Sequence, residues 1–323
     1  MADIDYTYAV ARIRALETWL FSASVIEQLM ACKTYESCLS LLQEKGWGES
    51  GATRSGEHIL IHEREKIWET MRELKIDMHI FDVLSYPNLF HNLKAAIKEV
   101  CTQEVNANIF YGDCEIGQDE MIRIIRQKDY LALPGFMREA AQEAYEAMLH
   151  SRDGQLCDVI VDKAALEAIM KAGKASELDI IRQYAESMVA VADIKVAVRC
   201  AATGKSVDFM KRALVKCDSL DVNVLAAAAS KGMAGICEYL TVTEYKEGAE
   251  ALKESPSAFE RWCDNRIIRT IQPQRYQPFT AGPLFAYVIA RENEIKTVRI
   301  ILTGKQNDLP EDSIRERIRE MYV

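Results

Sequence analysis

Phe285-Ala-Tyr-Val-Ile-Ala-Arg291-Glu-Asn-Glu294-Ile-Lys296-Thr-Val-Arg299-Ile-Ile-Leu-Thr-Gly304-Lys305 sets the architecture of this chain. It reads as one long helix, stopped at Gly304 by a residue without Cβ. Immediately upstream, Pro273-Gln-Arg-Tyr-Gln-Pro278-Phe-Thr-Ala-Gly-Pro283 carries three prolines. Their missing N–H groups forbid a continuous helix there, which makes this stretch an ordered connector into the long helix. Downstream, Pro310 followed by Glu311 and Asp312 begins a final short helix with acids in its first turn, where the helix dipole favours them.

The same pattern extends back to the start of the chain. Ala9, Ile13, Leu16 and Leu20 step by four, three and four and form one apolar stripe, an amphipathic helix over residues 8–20. Ser24-Val-Ile-Glu27 has the capping-box spacing and predicts a second helix that turns Leu29 and Met30 inward. A third runs over 34–45 and ends at Gly46. Helix-favouring runs recur at 137–149 and 163–172, with polar starts at Asp119, Ser176, Ser206 and Asp221. Strand-like alternation is scarce: His58-Ile-Leu-Ile-His62 and Asp158-Val-Ile-Val read as helix starts or brief extended pieces. The chain is therefore expected to be all-α, with roughly two-thirds helix or more against a usual third.

Composition agrees. At 323 residues the chain is about twice a usual domain and can fill a sizeable core or several small ones. Fifteen Gly and seven Pro, about 7% together against a typical ~12%, exclude collagen-like, disordered and turn-rich all-β architectures. A net charge of −9 is the wrong sign for a protein that binds by neutralising phosphates, so nucleic acid is not an expected partner. Nine scattered cysteines without a CxxC read as reduced thiols, mostly small buried hydrophobes. Met-Ala-Asp-Ile-Asp-Tyr at the start has neither a basic nor an apolar signal region. The best apolar runs, 222–229 and 283–290, are too short to span a bilayer.

Asn92-Leu-Lys94-Ala-Ala, Asp193-Ile-Lys195-Val-Ala and Glu294-Ile-Lys296-Thr-Val recur at intervals of 101 residues, close to a third of the chain. Two of these helices finish alike, at Thr203-Gly-Lys205 and Thr303-Gly-Lys305. The period is too long for tetratricopeptide or HEAT arrays, whose units run ~34–47 residues. It predicts three helical subdomains, 1–107, 108–208 and 209–323, which can close into a pseudo-threefold, funnel-like bundle. A closed ring has an axis, and an axis suits a socket or a rotor.

Motifs for chemistry are absent or out of context. Gly46-Trp-Gly48-Glu-Ser-Gly51 has the letters of a dinucleotide fingerprint but follows a helix, where the fingerprint needs a strand before it. It reads as a helix cap and loop. Gly204-Lys-Ser206 lacks the first glycine of a phosphate loop, because position 199 is Arg199. His58 and His62 are spaced like metal ligands on a helix face, but the HExxH order is missing and the charge run Glu63-Arg-Glu-Lys66 beside them reads as solvent-facing. No nucleophile elbow is present. Neither a catalytic residue, a metal nor a cofactor is expected. The alternating charges at Arg291-Glu-Asn-Glu-Ile-Lys296 and Arg315-Glu-Arg-Ile-Arg319-Glu have two readings: a solvated, ion-paired helix face, or a surface that sets register against a protein partner.

Tyr8-Ala-Val-Ala-Arg12-Ile-Arg14-Ala-Leu-Glu17 and the stretch from Phe285 to Lys305 resemble the two terminal signatures of the C subunit of archaeal and bacterial A/V-type ATPases, the equivalent of the d subunit of the eukaryotic vacuolar ATPase. The resemblance implies a non-catalytic rotor component of the central stalk. It would form a socket between the central shaft subunits and the proteolipid ring, one copy per complex. It would be peripheral to the cytoplasmic face of the membrane and would couple ATP hydrolysis or synthesis to proton or sodium transport. It nominates Arg12, Arg14, Glu17, Tyr287, Arg291, Glu292, Asn293, Lys296 and Arg299 as groups that meet partners or lock the subdomains together. The competing readings are a free helical scaffold for soluble partners and a helical enzyme built around Glu63 or the Gly46 loop.

Overall fold

The computed structural model describes residues 6–48, 55–104, 109–112, 114–151 and 154–323. The expected boundary at 107/108, the first residues Met1 to Asp5, and Glu49 to Gly51 of the glycine motif lie outside these. Among the described residues 76% are helical and none lies in a strand, so the chain is all-α. Two compact units can be distinguished.

The first comprises residues 1–80, 178–184 and 246–323. It contains α1 (Thr7–Glu17), α2 (Ala23–Ala31), α3 (Tyr35–Glu44) and α4 (Gly56–Glu73), followed later in the chain by α13 (Lys246–Glu254), α14 (Pro256–Ile271), α15 (Gly282–Gln306) and α16 (Glu311–Arg315). Helix α15 is its axis. Leu284, Phe285, Ala286, Val288, Ala290, Val298 and Ile301 are all buried, on every side of the helix, so α15 must be surrounded. Helices α1, α3, α4 and α14 pack around it.

The second unit comprises residues 81–177 and 185–245. It contains α5 (Asp82–Thr102), α6 (Gln118–Gln127), α7 (Arg138–Ser151), α8 (Gly154–Ala175), most of α9 (Asp179–Ala202), α10 (Val207–Ala213), α11 (Val222–Ala229) and α12 (Met233–Thr241). One hydrophobic core joins Phe90, Leu93 and Ile97 of α5 to Met121 and Ile125 of α6, Ala141 and Ala144 of α7, and Val161 of α8.

Several helix ends follow the local sequence. Thr34 caps α3 through a reciprocal box with Ser37, Ser206 caps α10, and Asp221 accepts the amides of Asn223 and Val224 at the start of α11. The connector forms as expected: α14 stops at Ile271, a 3-10 turn covers Gln272–Tyr276, and α15 begins at Gly282.

Other expectations need correction. Helix α2 starts at Ala23, so Ser24 lies inside it, and Ser22 at the cap makes no side-chain bond. Helix α9 starts three residues after Ser176. The segments at 58–62 and 158–161 are both helical: the first opens α4, one of the two readings given for it, and the second lies about one turn inside α8. Gly304 does not stop α15, which runs on to Gln306. A Cβ there would lie 2.5 Å from Ile314, so this glycine makes room for α16 to pack.

Candidate functional site

The three positions spaced by 101 residues do one job. Asn92 of α5, Asp193 of α9 and Glu294 of α15 are 0%, 0% and 1% exposed. Each binds the backbone N–H of a residue remote in sequence. Asn92 accepts from Tyr111 at 2.8 Å and donates back to its carbonyl at 2.9 Å. Asp193 accepts from Val215 at 3.0 Å, and Glu294 accepts from Phe21. A buried carboxylate without such donors would carry the full cost of desolvation. Burial still pushes the Asp193 carboxyl up to about 7, against the opposing pull of the Val215 amide and Lys163 and with the help of Glu186.

Around Glu294 the first unit builds a charged network. Arg291 is 7% exposed. It donates to Glu63 of α4 at 2.7 Å and also to Glu294. Burial works against its charge, but Glu294 and Glu63 override it, so its pKa lies above the usual guanidinium value. Glu63 also accepts from Lys66 at 2.6 Å and from the Gly48 amide at 2.9 Å. Two acids and two bases therefore balance. The Arg291 guanidinium lies 5.1 Å from the Trp47 ring centroid, and Trp47 stacks on Phe21 at 4.8 Å.

This gives the glycine motif its role. Gly46 and Gly48 both have positive φ, +82° and +81°, turning the chain so that Trp47 slides beneath Arg291 and the Gly48 amide reaches Glu63. Glu63 is only 3% exposed, contrary to the solvent-facing reading of its charge run. The spacing held the signal: Ile59, Glu63 and Ile67 are four apart, and both isoleucines are buried, so Glu63 falls on the apolar stripe. The solvated-face reading of 291–296 is corrected for the same reason: Arg291, Asn293 and Glu294 are all buried.

The remaining nominated residues surround this network. Arg64 pairs with Glu292 at 2.9 Å and Arg299 with Glu57 at 2.5 Å, so α4 and α15 run antiparallel with charges along the seam. Arg14 binds Glu17 at 2.7 Å and the carbonyls of Gln274 and Gln277 at 2.6 and 2.9 Å, tying α1 to the connector. Tyr287 is buried, and burial raises its hydroxyl pKa. Arg12 is exposed. Asn293 donates to the Glu320 carbonyl at 2.9 Å. Lys296 meets Asp264 of α14 at 2.6 Å, and Asp264 also takes Arg319 at 2.7 Å. Burial pushes the Asp264 carboxyl up, but these two cations outweigh it and hold it below its usual value. Beside the network a cleft of about 770 Å³ opens, lined by Trp19, Glu44, Glu69, Glu73, Tyr287 and Arg291. Among the described residues no group of three His, Cys, Asp or Glu is placed to hold a metal, and no helix is long and apolar enough to cross a membrane.

Helix α15 is thus a long buried helix held by segments remote in sequence, among them Phe21, Glu63 and Glu320. The family model of the ATP synthase (C/AC39) subunit matches residues 9–317. The chain belongs to this family. The C subunit of the V-type sodium ATPase of Enterococcus hirae is 23% identical over 317 residues, covering 96% of this chain and 97% of that protein. The C subunit of the A-type ATP synthase of Methanocaldococcus jannaschii is 22% identical over 355 residues, covering 96% and 85%. That of Methanothermobacter thermautotrophicus is 25% identical over 176 residues, half of this chain and 45% of its own length. The family match spans both units, and α1 and α15 carry the two terminal signatures read from the sequence.

Proposed function

We propose that this member of the C/AC39 family is a non-catalytic rotor component of a V/A-type ATPase, a socket that joins the central shaft to the membrane proteolipid ring and passes torque between them. The observation that carries this reading is the family match over 9–317, at nearly full length in two relatives named as C subunits of a V-type sodium ATPase and an A-type ATP synthase. Transmitting torque requires stiffness, and the buried network on α15 supplies it, because close-packed interiors transmit strain instead of absorbing it. In this reading the chain sits at the cytoplasmic face, peripheral to the membrane, in one copy per complex, and couples ATP turnover to proton or sodium movement.

The subdomains 1–107, 108–208 and 209–323 form a pseudo-threefold funnel in the same proposal. It is supported by the equivalent amide-binding positions Asn92, Asp193 and Glu294. In each case a long helix holds the backbone of a remote segment, and the last one holds the beginning of the chain.

Gentle affinity purification of the tagged chain from its native membranes tests the proposal. Recovery with an ATPase head, shaft subunits and a proteolipid ring is the expected result. Recovery alone, with no ATPase activity, would contradict it.

A further inference from the structure

Helix α2 ends without the left-handed residue that closes many helices. Its cap, Cys32, is extended, with φ −60° and ψ 131°, so side chains meet the carbonyls of the last turn. The Cys32 thiol donates to the Gln28 carbonyl at 3.5 Å, and the Cys38 thiol, reaching over from α3, donates to the Leu29 carbonyl at 3.6 Å. Lys305 of α15 donates to the Met30 carbonyl at 2.7 Å. The two thiols thus hang from successive carbonyls of one helical turn. Cys38 is fully buried while Cys32 is half-buried, which gives one sulfur access to solvent and shields its neighbour.

We propose that Cys32 and Cys38 form a redox pair, a dithiol that a hydroperoxide converts into a disulfide joining α2 to α3. In the first step the Cys32 sulfur attacks the peroxide: an S–O bond forms, the O–O bond breaks, and water or an alcohol leaves. Cys32 becomes a sulfenic acid, its sulfur oxidised by two electrons as the peroxide is reduced. In the second step the Cys38 sulfur attacks the Cys32 sulfur. An S–S bond forms, the S–O bond breaks, and the hydroxyl leaves with the Cys38 proton as water. The connection between the helices is extended at Cys32 and Thr34, so this short segment absorbs the adjustment that disulfide geometry requires.

The surroundings set the order of events. Burial pushes the Cys38 thiol up to about 12, against the pull of Lys305, so little thiolate forms there and the half-buried Cys32 is the sulfur that meets the peroxide first. Closure also removes both S–H donors from the Gln28 and Leu29 carbonyls. The end of α2 then relies on its backbone cap and on Lys305, and the redox state of the pair is felt where α2 meets α15.

The test uses the full-length chain, reduced and then titrated with hydrogen peroxide, with remaining thiols alkylated before tryptic digestion. Cleavage after Lys33 separates residues 15–33 from residues 34–45, each with a single cysteine. The expected product is these two peptides joined, two hydrogens lighter than their sum and separated again by dithiothreitol. In Cys38→Ser the first peptide is expected to carry a sulfenic acid that dimedone traps, formed at an unchanged rate. Recovery of both peptides separately alkylated, under peroxide that oxidises other cysteines, would overturn the proposal. So would Cys32 joined to a different cysteine.

Discussion

The carboxylate of Glu294 accepts the backbone N–H of Phe21, across 273 residues of sequence. The same carboxylate holds Arg291, which holds Glu63. One buried network therefore fastens the start of the chain to its last long helix, and its energetics can be measured residue by residue.

Arg291→Met leaves Glu63 and Glu294 buried without the cation between them. Removing one partner of a buried ion pair costs about 3–5 kcal/mol, and a loss of that size is expected in the denaturant midpoint. Arg299→Ala, two turns along the same helix, removes an exposed pair with Glu57 and is expected to cost under about 1 kcal/mol. Equal losses for the two variants would contradict the account of the network.

Asp193→Asn is expected to stabilise the protein at neutral pH by about 1–3 kcal/mol. Asn92 already shows that an amide can make the corresponding bond. The folded carboxyl titrates near 7, against about 4 unfolded. Between those values the native state binds the extra proton, so stability falls as pH rises from about 4 to 7 and then levels off. Denaturation of Asp193→Asn should lack this slope, and an unchanged slope would refute the assignment.

Asp264 has the opposite sign. Its folded pKa is depressed, so its contribution is present above the unfolded value and is lost as pH falls through the folded one. Asp264→Ala strips Arg319 and Lys296 of their shared partner. It is expected to cost about 2–4 kcal/mol and to speed tryptic cleavage after Arg317, as mass spectrometry of the released tail would record.

Gly304→Ala places a methyl against Ile314 and is expected to cost about 1–3 kcal/mol by overpacking. Ile314→Ala removes the obstructing atoms at a cost of its own. If the contact is the cause, the double variant is less destabilised than the sum of the two single ones, and simple additivity would exclude it.

Much of the fold was legible because helices announce themselves locally. The stripe of α1, the caps at Thr34, Ser206 and Asp221, and the prolines before α15 all act within a few residues of themselves. The long-range decisions were not. Thr203-Gly204-Lys205 follows the end of α9, with Gly204 at φ +64°, while Thr303-Gly304-Lys305 stays inside α15, where Gly304 faces a tertiary neighbour, Ile314. Arg291 and Glu294 were recognisable as special residues, but their partner Glu63 sat in a run of charges that masked its place on the apolar stripe of α4. Asn92, Asp193 and Glu294 stood out by spacing alone. That they bind backbone amides emerges only when Tyr111, Val215 and Phe21 come to meet them.

Mechanical coupling has a direct readout, the ratio of ions moved to ATP hydrolysed. Membrane ATPase complexes depleted of this chain and reconstituted into vesicles are expected to hydrolyse ATP without building an ion gradient, and adding back the purified chain is expected to restore transport. Full ATP-driven transport without the chain would contradict the proposed role as a link between shaft and ring.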